Sequence, residues 1–135
     1  EFLFDGRAIE GWFLNEELKT THYLLLWPNG KTSDLRVLTS EDFTEVEGMI
    51  LSKNKLKRYL EENGLDDDTL RQVTKKLRMQ KVIGSQNTFH YGIKFYVSPA
   101  ESYSENPVNL IISKKLLSTL ADAHYVITQE GFQRI

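Results

Sequence analysis

Cysteine is absent from this sequence of 135 residues, which excludes disulfide bonds, thiol nucleophiles and zinc sites with cysteine ligands. Long apolar runs are absent too: none approaches the roughly 20 residues that a membrane-spanning helix requires, and no signal-peptide pattern opens the chain. These absences predict an intracellular protein, cytoplasmic or nuclear, with no membrane partner. Because the first residue is Glu1 and not methionine, we expect a fragment or a processed form of a longer protein.

Catalytic motifs are also missing. The three histidines, His22, His90 and His124, lie far apart and lack the HxH or HExxH spacing of metal ligands. The sequence contains no phosphate-binding P-loop, no GxGxxG and no GxSxG. It therefore predicts no catalytic residue, no metal site and no cofactor, and we do not expect an enzyme.

One weak enzymatic alternative stays open. Glu17-Leu18-Lys19, with Asp5 upstream, has the acidic-x-lysine spacing of metal-dependent nucleases. It lies among polar residues typical of a loop, whereas the nuclease motif belongs on a buried strand. The run Asp66–Asp68 also suggests a metal ligand, but helix capping explains it more simply.

The charge is unevenly distributed, although the net charge is only −2. Residues 1–52 carry four basic and ten acidic residues, residues 53–81 carry nine basic and five acidic residues, and residues 82–135 carry four of each. The positive charge is thus concentrated in the middle of the chain, as a nucleic-acid surface requires.

Two helices are predicted in this cationic middle. Ser52 begins a run over 53–63 that Gly64 ends, and Asp66–Asp68 begin a second run that ends near Lys81. In the second run an apolar stripe recurs at helical spacing, and it consists of Leu70, Val73 and Leu77.

A second face of this helix is cationic. Arg71, Lys75 and Arg78 follow one another at i, i+4 and i+7, away from the apolar stripe. Such a face can neutralise phosphates while Gln72 or Arg71 reaches a base edge. The alternative is a solvated helix face whose cations lie suitably near the C-terminus.

A β-hairpin is predicted after the helix pair. It comprises Val82–Gly84, a polar loop over 84–88 and an alternating strand over 89–97, with Phe95 among its apolar positions. His90 and Lys94 share the outer face of that strand, where Lys94 is placed to contact a nucleic-acid backbone.

The remaining segments are predicted to form strands and two further helices. Residues 1–39 predict a β-meander with one buried face, with an Asp5-Gly6 turn and with strands over 8–14, 22–27 and 31–38. Residues 39–49 predict a short helix. Residues 98–107 are predicted to be a linker or surface loop. Residues 108–135 are predicted to form a strand, a helix that Ser113 caps and that ends near His124, and a hairpin. The functional alternative for the meander is a peptide-binding edge or a pocket built on Trp12, Phe13 and Trp27.

The predicted fold class is therefore α+β: an N-terminal antiparallel β-meander, a winged helix-turn-helix-like unit over 40–97, and a C-terminal helix with a hairpin. Residues 40–97 resemble the winged-helix superfamily in element order, element lengths and the position of the cationic helix. The length suits one compact domain or two subdomains that share a core.

The resemblance implies binding of duplex DNA by the second helix, or a role as a protein-interaction module. Our first hypothesis is a nucleic-acid-binding module of a larger protein, with DNA favoured. Its contacts would come from Lys53, Lys57, Arg71, Gln72, Lys75, Arg78, Lys81 and Lys94. The alternative is a protein–protein interaction or assembly module that uses the acidic or aromatic N-terminal β region.

Overall fold

The computed structural model describes residues 3–4, 9–31, 34, 36–87, 90–99 and 107–135. It confirms the α+β class. The helices are α1 (Lys53–Glu62), α2 (Asp67–Met79) and α3 (Lys114–Leu120). The strands are β1 (Leu3–Phe4), β2 (Ile9–Glu10), β3 (His22–Gly30), β4 (Phe43–Ser52), β5 (Gly84–Asn87), β6 (Ile93–Val97), β7 (Val108–Ile112), β8 (Ala123–Thr128) and β9 (Gly131–Arg134).

The described strands form two antiparallel sheets. Sheet A has the strand order β2-β1-β7-β6-β5, and sheet B has the order β3-β4-β8-β9. Each sheet therefore combines strands from the N-terminal part of the chain with strands from its C-terminal part. The predicted subdomain boundaries do not separate the sheets. Sheet B crosses the boundary at 39/40 because β3 pairs with β4, and sheet A crosses the predicted linker at 98–107 because β6 pairs with β7.

One cluster of buried residues joins the helices to both sheets. In β6 the residues Ile93, Phe95 and Val97 are buried and alternate with exposed ones, as the sequence predicted. Helix α2 lies on this side of the sheet, and its buried Leu77 lines one groove with Val97 and another with Phe95. Sheet B contributes Met49 to the same core.

The predicted helix starts are confirmed. The side chain of Ser52 accepts a hydrogen bond from the Lys55 amide at 3.4 Å, and Asp66 accepts one from the Thr69 amide at 2.7 Å. Ser113 caps α3 in the same way. These caps satisfy amides that a helix leaves unpaired in its first turn, so each start is specified locally. The helix ends are less well predicted, since α2 stops at Met79 and α3 at Leu120.

The helix predicted over 39–49 is wrong. Only a single 3₁₀ turn, Ser40–Asp42, follows Thr39, and the chain then enters strand β4. Strand β4 pairs with β3 on one side and with β8 on the other. Hydrogen bonds to two partners outweigh a weak local helix signal, which is the usual way in which tertiary context overrides propensity.

Three other predictions of local structure are wrong. Gly84–Asn87, predicted as part of a polar loop, is strand β5 and pairs with β6. The strand predicted over 31–38 is absent from the described residues of that segment, where the side chain of Asp34 instead accepts from the Arg36 amide in a tight turn. The strand predicted over 8–14 is reduced to β2, and a turn follows it.

Some predictions lie outside the described residues. They concern the Asp5-Gly6 turn, the hairpin residues 88–89 and most of the predicted linker, 100–106. The helix pair and the hairpin occur in the predicted order. However, the strand before α1 belongs to sheet B and the hairpin belongs to sheet A. In the described part of the chain, no helix is both long enough and apolar enough to cross a membrane.

Candidate interaction surfaces

Lys53 is the first of the predicted nucleic-acid contacts, and it is buried. Its side chain lies in the core with a residue exposure of 7%, and its amine donates to the Trp12 carbonyl at 3.2 Å. Burial, and to a smaller extent the charge of Lys57, lowers the pKa of this amine. The amine of Lys53 is therefore not available at the surface to contact a phosphate.

Two further predicted contacts are held in ion pairs. The amine of Lys57 lies 2.5 Å from a carboxylate oxygen of Asp67. The guanidinium of Arg71 pairs with Glu10 and, at 3.2 Å, with Asp68, and the bond to Glu10 raises the pKa of Arg71. Both cations are thus directed towards carboxylates of the chain itself.

A cleft of about 420 Å³ surrounds these pairs, and most of its charged lining is acidic. The lining residues are Glu16, Lys57, Glu61, Asp66, Asp67, Asp68 and Arg71. Five carboxylates against two cations produce a negative potential, which repels phosphates. This end of α2 is therefore unsuited to a nucleic-acid backbone.

Lys94 is separated from the cationic helix by sheet A. It alternates in β6 with the buried residues that face α2, so its exposed side chain lies on the opposite face of the sheet. The prediction that His90 shares this outer face with Lys94 is wrong. His90 lines a groove of about 310 Å³ on the α2 side with Lys76 and Phe95. A turn at 90–92, with Gly92 at a φ of +81°, interrupts the alternation before Ile93.

What remains of the predicted surface is the C-terminal half of α2. Gln72, Lys75 and Lys81 are exposed and Arg78 is half-buried. Lys76 is also exposed, although it lies outside the i, i+4, i+7 set of Arg71, Lys75 and Arg78. Of these lysines none forms an ion pair within the part of the chain that the structure describes. The exposed cationic surface is therefore shorter than predicted and is confined to the C-terminal half of α2.

The outer face of sheet B is apolar, a feature that the sequence did not predict. We call it the apolar face. The strand registers place its members side by side, and they are Leu24, Leu26, Pro28, Val46, Gly48, Ile50, Ala123, Tyr125, Ile127, Phe132 and Arg134.

The apolar face has high edges and a low centre. Leu24 and Leu26 on β3 are 65% and 51% exposed, and Phe132 on β9 is 77% exposed. At the centre Gly48 has no side chain, and a Cβ there would lie 3.3 Å from a methyl carbon of Leu26. The rings of Tyr125 and Phe132 contact edge to face with centroids 6.0 Å apart. The result is a shallow trough across four strands.

Charge is nearly absent from the apolar face. Arg134 is the only charged residue of the set, and it lies on the edge strand β9. Its guanidinium donates to the Asp122 carbonyl at 3.1 Å, which holds it at the rim. A surface of this composition has little attraction for water or for a polyanion.

The inner face of sheet B carries the charge that its outer face lacks. Glu47 accepts from Lys114 of α3, and its other carboxylate oxygen lies 2.6 Å from Nε2 of His124. The hydrogen bond from Lys114, together with the one to His124, lowers the pKa of Glu47. The amine of Lys114 also lies 5.2 Å from the ring centre of Trp27. This cluster fixes α3 on sheet B.

The aromatic pocket that the sequence suggested is not formed. Phe13 is buried in the core, and Trp27 points inwards beside Lys114. Trp12, 45% exposed, packs on Tyr23 with ring centroids 4.6 Å apart. A local signal for the apolar face did exist, since Tyr23–Trp27 is apolar at consecutive positions, a pattern typical of strands covered on both faces.

Within the described residues, no three histidine or carboxylate side chains lie together so as to hold a metal ion. No protein-family model, curated protein or solved structure matches the chain.

Proposed function

We propose that this chain is an assembly module that docks through the apolar face of sheet B, and that the docked surface is the apolar face of a second copy. The observation that carries the proposal is the exposure of Leu24, Leu26, Ile127 and Phe132 on one contiguous surface. Monomeric proteins rarely expose contiguous apolar patches larger than a few hundred Å², and larger ones mark interaction sites.

The charge of the apolar face supports a second copy as the occupant. A partner selected by charge would need carboxylates or cations to match, and Arg134 at the rim is the only charge on offer. Two identical apolar faces, in contrast, are self-complementary without any charged contact. A twofold axis parallel to the strands would place β9 of each copy against β3 of the other, and the two Arg134 side chains at opposite edges.

The size of the apolar face also suits a dimer. Four strands about 4.8 Å apart and three rows of outward side chains offer each copy on the order of 500 Å², or about 1,000 Å² for the pair. Specific interfaces begin at about this size. We therefore expect a weak dimer, in equilibrium with the monomer at micromolar concentrations, formed by packing of sheet on sheet.

The test is sedimentation velocity across a concentration series, with a matched pair of variants. Ile127 and Ile111 are both 40% exposed on the outer faces of inner strands, one in sheet B and one in sheet A. Ile127→Glu should abolish the dimer because it places a charge in an apolar interface, whereas Ile111→Glu should leave it intact. A parent chain that stays monomeric at high micromolar concentration would overturn the self-docking proposal.

Nucleic-acid binding is the second candidate, and the exposed lysines of α2 favour it. Lys75 and Lys76 project from the helix without an ion pair in the described part of the chain. Phosphate contacts by such residues make log K fall linearly with log salt. The resemblance to winged-helix proteins implies the same partner.

Fluorescence anisotropy with labelled duplex and single-stranded DNA at two salt concentrations tests this candidate. Lys75→Glu/Lys76→Glu should remove salt-sensitive binding, whereas Lys94→Glu, on the other side of sheet A, should not. Arg71 is left unchanged because its substitution would also break the pair with Glu10. Absence of binding at low salt would eliminate the nucleic-acid candidate.

A further inference from the structure

Strand β3 lies at one edge of sheet B, and it is long for an edge strand. It has nine residues, whereas the other edge strands of the two sheets, β2, β5 and β9, have two, four and four. An edge strand presents backbone N–H and C=O groups to whatever lies beside it, and proteins normally protect such edges by shortness or by charge. No side chain from Tyr23 to Gly30 carries a charge. The open edge, as we call the side of β3 that faces away from β4, therefore has neither of these two protections.

The hydrogen bonds of β3 show which backbone groups lie at the open edge. The Lys53 amide donates to the Thr21 carbonyl at 2.8 Å, and these two residues continue the register that pairs His22 with Ser52. In an antiparallel ladder, pairs that bond to each other alternate with pairs whose backbone groups point away from each other. The residues after Thr21 that bond to β4 are therefore Tyr23, Leu25 and Trp27. Those whose backbone groups point to the open edge are His22, Leu24, Leu26 and Pro28.

Two further observations agree with this assignment. Pro28 has no amide, and proline is tolerated in a strand where the amide would point to an edge. Ile50, the partner of Leu24 in the register, directs its carbonyl to the other side of β4, where it accepts from the Asp122 amide at 2.8 Å. Within the described part of the chain, no backbone carbonyl accepts from the three amides at the open edge. Those amides, and the carbonyls of the same residues, are available to an added strand.

The side chains beside the open edge determine what an added strand must carry. Leu24 and Leu26 lie on the outer face of sheet B and are more than half exposed. The side chains of an added strand alternate between the two faces of the sheet, and those on the outer face lie beside these leucines. A charged side chain there would lose water without gaining a partner. The open edge thus favours an extended segment with uncharged apolar residues at alternate positions.

We propose that the open edge binds an extended segment of another protein, which adds to sheet B as an antiparallel fifth strand with apolar residues beside Leu24 and Leu26. This mode of binding obtains its affinity from backbone hydrogen bonds and its specificity from alternate side chains. The inference goes beyond the proposed dimer and does not rest on it, since the backbone at the edge of the sheet carries the contact.

A second copy of β3 fits the open edge less well. Antiparallel pairing of two β3 strands about Leu25 would place Pro28 of each copy opposite His22 of the other. The His22 carbonyl would then meet a residue that has no amide to donate. A segment of another protein that lacks proline can instead bond to every amide and carbonyl that the open edge presents.

The experiment is an NMR titration of the ¹⁵N-labelled chain with the end-blocked peptide Lys-Thr-Val-Thr-Val-Thr-Val-Thr-Lys. The chain carries Ile127→Glu, which lies on β8, two strands from the open edge, and prevents docking through the apolar face. We expect saturable shifts of the Leu24 and Leu26 amides and slower hydrogen exchange of both in the complex. The Leu25 amide bonds to β4 and should be protected with and without the peptide.

Two N-methylated forms of the peptide separate edge pairing from contact by side chains alone. In an antiparallel pair the peptide residues opposite Leu24 and Leu26 lie on the same face as these leucines and exchange bonds with them, so the amides of the valines face β3. N-methylation of the valines should weaken binding by roughly tenfold or more, whereas N-methylation of the threonines should leave it unchanged. A loss confined to the threonine form would support the same edge with a parallel strand. Equal binding by both forms would overturn the inference.

A matched pair of variants tests the edge from the side of the chain. Leu26→Pro and Leu26→Ala both remove the leucine side chain, but only the proline also removes the amide. Proline is tolerated where a strand amide points to an edge, and exchange of the Leu25 amide reports whether β3 still pairs with β4. Leu26→Pro should bind the peptide roughly fivefold more weakly than Leu26→Ala, the effect of one hydrogen bond. Equal affinities would contradict the proposal.

The inference is also overturned if the peptide shows no saturable binding at millimolar concentration, or if the Leu24 and Leu26 amides exchange as fast in the complex as without the peptide. Protection of these amides that rises with protein concentration alone would assign the open edge to a second copy instead. A parent chain that never dimerises would leave the titration unchanged, so failure of the dimer and failure of the edge are distinguishable.

Discussion

The outer faces of the two sheets differ, although their inner faces share one core. On sheet A the outward residues of the paired strands β5, β6 and β7 are mixed, and they are Ser85, Lys94, Tyr96, Asn109 and Ile111. On sheet B the corresponding face is apolar except for Arg134. The outer face of sheet A has the composition of a solvent-exposed surface. The outer face of sheet B has the composition of a surface that is covered by a further layer of protein.

The difference is visible within single strands. Strand β6 alternates strictly between buried apolar and exposed residues. Strand β3 directs Tyr23, Leu25 and Trp27 towards the core, and also Leu24 and Leu26 towards the outside. A strand with apolar residues on both faces is normally covered on both. The function proposed for this chain follows from that second, uncovered face.

The largest effect is expected from the pair of neighbours Phe95 and Tyr96 in β6. Phe95, 3% exposed, lies in the core, whereas Tyr96, 37% exposed, lies on the outer face of sheet A. Phe95→Ala should cost about 3–5 kcal/mol of the free energy of unfolding through lost packing and the cavity left behind. Tyr96→Ala should cost about 1 kcal/mol or less, the range of cross-strand contacts. Urea denaturation measures both, and equal costs would show that the outer face of sheet A is also covered.

A comparison of an inward with an outward residue in β3 should give a smaller loss of stability, and one that depends on protein concentration for the outward residue. Leu25→Ala should destabilise the monomer by roughly 2 kcal/mol, since Leu25 packs against the core. Leu24→Ala should have almost no effect on the dilute protein, because its side chain is 65% exposed. At high protein concentration the parent should gain stability from association, and Leu24→Ala should gain less.

Thermal unfolding at several protein concentrations distinguishes the two leucines. The deficit of Leu25→Ala relative to the parent should be present at every concentration, whereas that of Leu24→Ala should appear only as concentration rises. A deficit of Leu24→Ala that does not depend on concentration would mean that Leu24 stabilises the monomer. The proposal that the apolar face is a docking surface would then lose its strongest support.

The parts of this fold that the sequence could predict are those that local chemistry decides. Ser52 and Asp66 cap α1 and α2 from within the same turn, and the alternation in β6 marks its buried face. Most of strand β4 was missed because it is stabilised between two partners, and one of them, β8, is distant in sequence. The number of cations available at the predicted nucleic-acid surface was overestimated for the same reason, because partners distant in sequence engage some of them. Lys53 meets a carbonyl 41 residues away and Arg71 meets a carboxylate 61 residues away.

The smallest predicted effect concerns the charge on the inner face of sheet B. Lys114 and His124 favour the ionised form of Glu47 and hold its pKa below the ordinary value of a glutamate carboxyl. A carboxyl group whose pKa is depressed in the folded state stabilises the fold above its unfolded pKa. That contribution is lost as the pH falls through the lower folded value. The stabilisation should therefore be complete at neutral pH, begin to weaken near the ordinary pKa of a glutamate carboxyl, and be lost once the pH is below the lower folded value.

Glu47→Gln tests whether sheet B is stabilised from its charged inner face. The variant should be less stable than the parent at pH 7, and the gap should narrow as the pH falls below 4.5, because the parent then loses the same ionised group. Denaturation at a series of pH values measures the gap, and Glu130→Gln, at an exposed turn, is the control. A gap that is constant with pH would mean that packing, and not charge, is what Glu47 contributes. If the gap closes as expected, the ionised cluster holds α3 to the inner face while the outer face, which lacks such pairs, is left to hydrophobic association alone.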